Sequence, residues 1–169
     1  MKRTLLIING EHSHGKTSLV KQLIEKGIIS EDSSFFTKGS KQELGNQPNF
    51  VLDRISKHLK NHPNTNIVVL PLRHLPMVNK SNYFGYEFVE LITNSIQFDK
   101  AIIIDFKPNT EEFSNEELYN INANIVNVNT LCNCPSVFKS FDYVSTKSEV
   151  EHKIKEATEF IVENLNKSM

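Results

Sequence analysis

The sequence predicts a three-layer α/β/α sandwich built on a mainly parallel five-stranded sheet. Short runs of aliphatic and β-branched residues, typical of strands buried on both faces, recur along the chain. Most of these runs are followed by a segment with apolar residues at helical spacing, and such alternation favours parallel strands joined by right-handed crossovers. The 169 residues suffice for one such domain but not for two, so we expect residues 1–169 to form a single domain.

The first third of the chain predicts a strand, a glycine-flanked turn and a helix. The strand covers residues 4–9, which are almost entirely aliphatic, and the helix covers residues 16–26. Gly27 stands where a helix of this length ends. A short second strand is predicted over residues 34–37, followed by a polar loop over residues 38–48.

The middle of the chain predicts two further helices, each followed by a buried strand. Asn49 is expected to cap the first helix, and the second is expected over residues 82–97. Strands are expected over residues 67–70 and 101–104, and the latter ends in Asp105.

The last third is predicted to hold a short helix, two strands and a final helix. The short helix covers the acidic residues 110–119, and the strands cover residues 124–129 and 143–144. The final helix is expected to begin with a capping box formed by Ser148 and Glu151.

Composition narrows the possible partners. The formal net charge of −1 gives no broad positive field for a nucleic-acid backbone. Because no apolar run approaches the roughly 18–20 residues of a membrane span and no secretory signal is evident, we expect a cytoplasmic protein without a membrane partner. Cys132 and Cys134 are the two cysteines; with one residue between them they are interpreted as structural thiols rather than as a zinc site.

Residues 10–17 carry the strongest functional pattern. They read Gly-Glu-His-Ser-His-Gly-Lys-Thr, which fits a glycine, four residues and then Gly-Lys-Ser/Thr, here placed directly between a predicted strand and helix. Glycines allow a tight turn whose backbone N–H groups converge on phosphate oxygens, and the helix N-terminus adds partial positive charge. The segment resembles the Walker A loop of the P-loop NTPase superfamily.

This resemblance implies a nucleotide site with Mg²⁺. Lys16 is expected to bridge the β- and γ-phosphates, and Thr17 is expected to bind the metal through its hydroxyl. His14 contacts phosphate or points to solvent, and the sequence leaves both alternatives open. The expected nucleotide-binding residues are Gly10, His12, Ser13, His14, Gly15, Lys16, Thr17 and Ser18.

A second metal contact is expected from a carboxylate near the loop. Asp105 ends the run Ala-Ile-Ile-Ile-Asp, which resembles a Walker B segment and makes it a candidate metal-site and catalytic residue beside Thr17. The alternative is an aspartate that caps the next turn.

The branch of the superfamily is less defined. The run Gly-Glu-His-Ser-His-Gly-Lys-Thr-Ser-Leu resembles the loop of translational GTPases, but no Asp-x-x-Gly or Asn-Lys-x-Asp segment accompanies it, so guanine recognition is not expected. Size and predicted strand order instead resemble small P-loop kinases. That resemblance implies ATP, Mg²⁺ and a small-molecule acceptor.

Phosphoryl transfer in those kinases needs cations around the transferred group, usually arginines on a closing lid. Lys16, Asp105 and Arg73 are therefore the catalytic candidates, and Arg54 is a further candidate for acceptor binding. No arginine follows Arg73, so a lid would depend on lysines, which lack the planar two-pronged contact. These lysines would be Lys107, Lys139 or Lys147.

The alternative function is a nucleotide-dependent switch, similar to partition and mobilisation ATPases of the ParA type, acting through a protein or DNA partner.

Overall fold

The structure is a computed structural model that describes residues 2–11, 14–37, 47–77 and 81–167. It is an α/β domain with a five-stranded, all-parallel sheet flanked by helices, consistent with the predicted α/β/α sandwich. The strands are β1 Thr4–Asn9, β2 Ser34–Phe35, β3 Ile67–Leu72, β4 Lys100–Phe106 and β5 Ser136–Phe141. The helices are α1 Lys16–Glu25, α2 Pro48–Asn61, α3 Gly85–Ser95, α4 Asn115–Leu131 and α5 Lys147–Leu165, with a short 3₁₀ helix at Thr110–Glu112.

Strand β1 is the centre of the sheet. The strand order is β2-β3-β1-β4-β5, so β1 pairs with β3 on one side and with β4 on the other. All residues of β1, β3 and β4 are buried, as their continuous apolar runs predict for strands covered on both faces. The carboxyl end of β1, where the glycine-flanked segment begins, therefore lies in the middle of the sheet edge.

Two hydrophobic cores cover the two faces of the sheet. Alternate residues of β1 divide between them: Leu5 and Ile7 join the core that contains residues of α2, α3 and α4. Leu6 and Ile8 join the core that contains residues of α1 and α5. This period of two along a strand places Asn9 on the same side as Leu5 and Ile7.

The strand prediction for residues 124–129 is wrong, because these residues lie within α4. The buried residues of that helix are Ile121, Asn124 and Val128, whose separations of three and four are helical. The β-branched residues Ile125 and Val126 suggested a strand, but a helical face defined by their neighbours overrides that preference.

The last strand is Ser136–Phe141, not residues 143–144. It is an edge strand, and only Phe141 in it is buried. An edge strand needs no continuous apolar run, so the signal that identified the central strands was missing.

Three helix starts also differ from prediction. Helix α2 begins at Pro48 after Gln47 rather than being capped by Asn49, and α3 begins at Gly85. The cap of α5 is Thr146, whose hydroxyl accepts a hydrogen bond from the Glu149 N–H, two residues before the predicted Ser148 and Glu151 pair. Across the described ranges, no helix combines the length and apolar character needed to cross a membrane.

Candidate functional site

The glycine-flanked loop connects the end of β1 to the start of α1 and is fastened at both ends. The Gly10 N–H donates to the Leu72 carbonyl at the end of β3, at 3.0 Å. The His14 N–H donates to the Glu11 carbonyl at 3.2 Å. His12 and Ser13, two of the predicted nucleotide contacts, lie outside the described residues.

The two glycines of the motif meet different constraints. Gly15 has φ +114° and stands at the N-cap of α1, a conformation that residues with a Cβ rarely adopt. A Cβ added at Gly10 would lie 3.2 Å from the Cβ of Phe106, so a larger residue there would press on β4. The chain can thus turn from β1 into α1 directly above the central strands.

The predicted phosphate residues open the helix. Lys16 is the first residue of α1; it is buried, and its Nζ lies 3.4 Å from the Leu72 carbonyl, to which it donates. Thr17 and Ser18 follow in the first turn, and both are exposed. No acidic residue occupies this first turn, so nothing on the helix itself competes with an anion at its N-terminus.

Glu11 joins this loop to the segment that follows β3. Its carboxylate is 1% exposed and accepts three hydrogen bonds. The donors are the Arg73 Nε at 2.9 Å, the His74 N–H at 3.0 Å and the Leu75 N–H at 2.9 Å. The predicted catalytic Arg73 is therefore part of the site, oriented by a carboxylate that lies inside the loop motif.

A second buried carboxylate lies one strand away. Asp105 on β4 is 1% exposed, and its Oδ2 accepts a hydrogen bond of 3.0 Å from the Ser140 hydroxyl on β5. Its Oδ1 lies 2.8 Å from the His74 Nε2, within ion-pair distance, and neither atom has another hydrogen-bond partner among the described residues. Asp105 is thus not merely the cap of a surface turn; it contacts a buried histidine.

The protonation of His74 follows from its other neighbour, Asn124 on α4. The Asn124 Oδ1 accepts from the Tyr86 N–H at 2.8 Å, which orients its NH₂ group towards the His74 Nδ1, also at 2.8 Å. An NH₂ donor at Nδ1 requires that nitrogen to be an acceptor. The neutral ring then carries its proton on Nε2, facing the Asp105 carboxylate.

Three polar side chains form a row across neighbouring strands below the loop. Asn9 pairs in register with Asp105, and Asp105 with Ser140. Asn9 is completely buried, yet neither its Oδ1 nor its Nδ2 has a hydrogen-bond partner among the described residues. Unpaired buried amide groups are rare because each costs about 1–3 kcal/mol. The Asn9 amide can therefore form hydrogen bonds with a polar ligand or water.

His14 connects the loop to the segments that follow β4 and β5. Its Nε2 accepts from the Asn109 N–H at 3.1 Å, and its ring lies 5.3 Å from the ring of Tyr143, centroid to centroid. The ring is 4% exposed, so the alternative in which it points to solvent is wrong. Beside Asn109 and Tyr143 lies a cleft of about 430 Å³, also lined by Lys107, Pro108, Thr110, Leu118, Asn122, Ile125 and Asp142.

Lys153 is a buried cation that sequence reasoning missed. Its Nζ lies 5.0 Å from the centre of the Phe106 ring, the ring that packs beneath Gly10 and Gly15. Burial lowers the pKa of Lys153 below its ordinary value of 10.5. Its position on α5 follows the apolar pattern of that helix, so no local signal marks it.

The other predicted cations are placed less centrally. Arg54 is exposed on α2, and Lys107 is half exposed and lies 3.4 Å from Asp142. Lys139 lies over the ring of Phe141, 5.3 Å from its centre. Of the cations proposed from sequence, Arg73 contacts the loop through Glu11, and Lys16 contacts the end of β3 through the Leu72 carbonyl.

Comparisons with known proteins place no further constraint on the site. Neither a protein-family model nor a curated protein sequence matches the chain. In the described part of the chain, no cluster of three or more His, Cys, Asp or Glu residues could hold a metal ion by itself.

Proposed function

We propose that this protein binds a nucleoside triphosphate together with Mg²⁺, with the phosphates at the start of α1, and that it is a small-molecule phosphotransferase or ATPase. The observation that carries the proposal is the junction of β1 and α1. The left-handed Gly15 leads into a ten-residue helix whose first residue is the buried Lys16. Backbone N–H groups and the helix dipole at such a junction favour a polyanion.

The topology of the sheet supports the same position. Helix α1, which follows β1, packs on one face, whereas α4, which follows β4, packs on the other. The chain leaves β1 towards β2 and leaves β4 towards β5, so the two connections diverge. Ligands of open parallel sheets bind outside the carboxyl ends of strands at such a switch point, here between Asn9 and Asp105.

The side chains around this point suit Mg²⁺, which prefers oxygen ligands. The Thr17 hydroxyl is exposed beside the helix N-terminus, and the unpaired amide of Asn9 lies next to the Asp105 carboxylate. Mg²⁺ would neutralise charge on the phosphates. Thr17 would hold the ion through its hydroxyl, and Asp105, which is buried and already contacts Ser140 and His74, would supply a negative charge close to it.

Catalysis would consist of positioning and charge neutralisation. Lys16 would contact the terminal phosphates, and Arg73, held through Nε by Glu11, would face the developing charge with its orientation already fixed. The buried His74 would keep Asp105 in place. None of these roles requires a covalent intermediate on the protein.

The cleft of about 430 Å³ beside His14 gives room for the rest of the nucleotide. Its volume falls in the range of about 300–1,000 Å³ that small-ligand pockets show. Tyr143 offers an aromatic face, while Asn109 and Asn122 offer polar groups, as expected for a site that takes a flat, hydrogen-bonding ring.

Nucleotide titration tests the proposal. Calorimetry with ATP, GTP and their diphosphates, each with Mg²⁺ and with chelator, should show binding that is weakened at least about tenfold by chelation, or about 1.4 kcal/mol. Lys16→Ala should abolish binding, whereas Lys21→Ala, an exposed lysine on the same helix, should leave it unchanged. Release of diphosphate with and without a panel of acceptors then separates a phosphotransferase from an ATPase.

Two results would contradict the proposal. One is the absence of heat with every triphosphate when circular dichroism shows the native fold. The other is equal affinity of the Lys16→Ala and Lys21→Ala variants, which would place the phosphates elsewhere.

A further inference from the structure

The two cysteines form a close pair near the amino-terminal ends of β4 and β5, whereas the loop between β1 and α1 lies at the carboxyl end of β1. Cys132 follows the end of α4, and Cys134 precedes Pro135, whose carbonyl accepts from the Ala101 N–H at the beginning of β4. Both are free thiols, and their Sγ atoms lie 3.7 Å apart in hydrogen-bond contact. Between them, the Asn133 N–H donates to the hydroxyl of Thr93 on α3 at 3.0 Å, which fixes the turn that brings the sulfurs together.

We propose that Cys132 and Cys134 are a redox site that a hydroperoxide or a small-molecule disulfide converts reversibly to an intramolecular disulfide. A disulfide requires an S–S distance of about 2.05 Å, so each sulfur has to move by less than about 1 Å. Residues two apart have Cα atoms separated by at most about 7 Å, close to the usual range for disulfides. The bond can therefore form without unfolding α4 or β5.

The two thiols are not equivalent, which assigns an order to the reaction. Cys132 is 9% exposed and belongs to the core under α3 and α4, whereas Cys134 is half-buried. A hydrogen bond from the Cys132 thiol lowers the pKa of Cys134, and the same bond together with burial raises the pKa of Cys132. Cys134 is thus the more accessible thiol and the one with the more stable thiolate.

The chemistry balances with hydrogen peroxide as the oxidant. The Cys134 thiolate attacks a peroxide oxygen, the O–O bond breaks, and Cys134 becomes a sulfenic acid as hydroxide leaves and takes up a proton as water. The Cys132 sulfur then attacks the Cys134 sulfur. The S–S bond forms, the S–O bond breaks, and the departing hydroxide takes the Cys132 proton to leave a second water. Overall, two thiols are oxidised and one peroxide is reduced to two waters.

A disulfide oxidant follows the same order. The Cys134 thiolate attacks one sulfur of oxidised glutathione, which gives a mixed disulfide and one released glutathione thiolate. The Cys132 sulfur then attacks the Cys134 sulfur, the bond between Cys134 and glutathione breaks, and the departing glutathione thiolate takes up the Cys132 proton. Because Cys132 is held 3.7 Å away, this second step should be faster than accumulation of the mixed disulfide.

Intact-protein mass spectrometry with thiol alkylation tests the proposal directly, because these are the two cysteines of the chain. The full-length reduced protein is incubated with hydrogen peroxide or with oxidised glutathione and then alkylated. The expected product has lost two hydrogens, takes up no alkylating reagent, and returns to two reactive thiols after treatment with dithiothreitol. Non-reducing electrophoresis should show a monomer.

Single variants test the order. Cys132→Ser should accumulate a glutathione adduct, or with peroxide a sulfenic acid that a dimedone probe captures, on Cys134. Cys134→Ser should react about tenfold more slowly, because the remaining thiol is buried. Circular dichroism of both variants establishes that they are folded, and the wild-type mass result stands without them.

The proposal is overturned if the wild-type protein accumulates a stable glutathione adduct, a sulfinic acid or an intermolecular disulfide instead of the internal one. It is also overturned if two thiols remain alkylatable after prolonged exposure to either oxidant. These results are independent of nucleotide binding, since the pair lies away from the loop that begins α1.

Discussion

Removal of the Glu11 carboxylate is the most direct test of how the loop is held. Glu11→Ala removes three hydrogen bonds to a charged acceptor, and such bonds contribute about 1.5–3 kcal/mol each. The full sum is an upper bound, because Arg73 is 22% exposed and water can replace part of its contact. The buried His74 N–H has no such replacement, so we expect a loss of about 3–4 kcal/mol in the free energy of unfolding.

Glu11→Gln separates the two kinds of contact. The amide oxygen can still accept from the two backbone N–H groups, while the ion pair to Arg73 is lost, so the expected cost is about 1–2 kcal/mol. Urea denaturation followed by far-ultraviolet circular dichroism measures both values, since the chain has no tryptophan. The reasoning is refuted if Glu11→Ala lowers the free energy of unfolding by less than about 1 kcal/mol while the slope of that free energy with urea concentration is unchanged. It is also refuted if Glu11→Gln lowers the free energy of unfolding as much as Glu11→Ala does.

Three further substitutions test neighbouring contacts by the same denaturation assay. Asn124→Leu leaves the His74 Nδ1 and the Tyr86 N–H unpaired and should cost about 2–4 kcal/mol; a cost below about 1 kcal/mol would contradict a stabilising role of these two hydrogen bonds. Gly85→Ala places a Cβ 2.6 Å from the Arg73 carbonyl oxygen and should lower the free energy of unfolding by about 1–3 kcal/mol. An unchanged free energy of unfolding would show that the segment after β3 moves to make room for the Cβ. Burial lowers the pKa of Lys153, because the folded state disfavours the charged form of its side chain. The free energy of unfolding therefore rises as the pH increases from that lowered pKa towards 10.5. Lys153→Met should remove this gain from a pH series, and an identical pH dependence in both proteins would contradict it.

The sequence predicts the parts of the fold that carry strong local patterns. The strands at the centre of the sheet are continuous apolar runs, and β1, β3 and β4 lie where such runs predict them. Edge strand β5 is half exposed and carries no such run. Where α4 lies, the sequence predicts a short helix and a separate strand, because the pair Ile125 and Val126 favours a strand locally. The packing of the whole helix decides the structure instead.

The candidate site is likewise predictable from the sequence only where its pattern is local. The glycine pattern locates the turn and Lys16, because spacing within eight residues is visible in the sequence. The contacts that hold it are long-range: Glu11 meets Arg73 across 62 positions, and Asn124 meets His74 across 50. Glu11 lies inside the motif and could have been found as an acid among expected phosphate contacts. For Asn124 no local signal exists, since its role depends on how α4 packs.

The balance of charge around the loop explains why a buried acid lies inside a proposed anion site. Lys16 and Arg73 contribute two positive charges, and the carboxylates of Glu11 and Asp105 offset them. Side-chain charge alone therefore gives little attraction for a triphosphate, and affinity has to come from backbone N–H groups, the roughly +0.5 charge of the helix N-terminus, and Mg²⁺. In exchange, Glu11 orders an arginine before the ligand arrives, which avoids about 1.5–2 kcal/mol of side-chain entropy on binding. The site thus favours preorganised geometry over net positive charge, and a metal-free triphosphate should be a poor ligand for it.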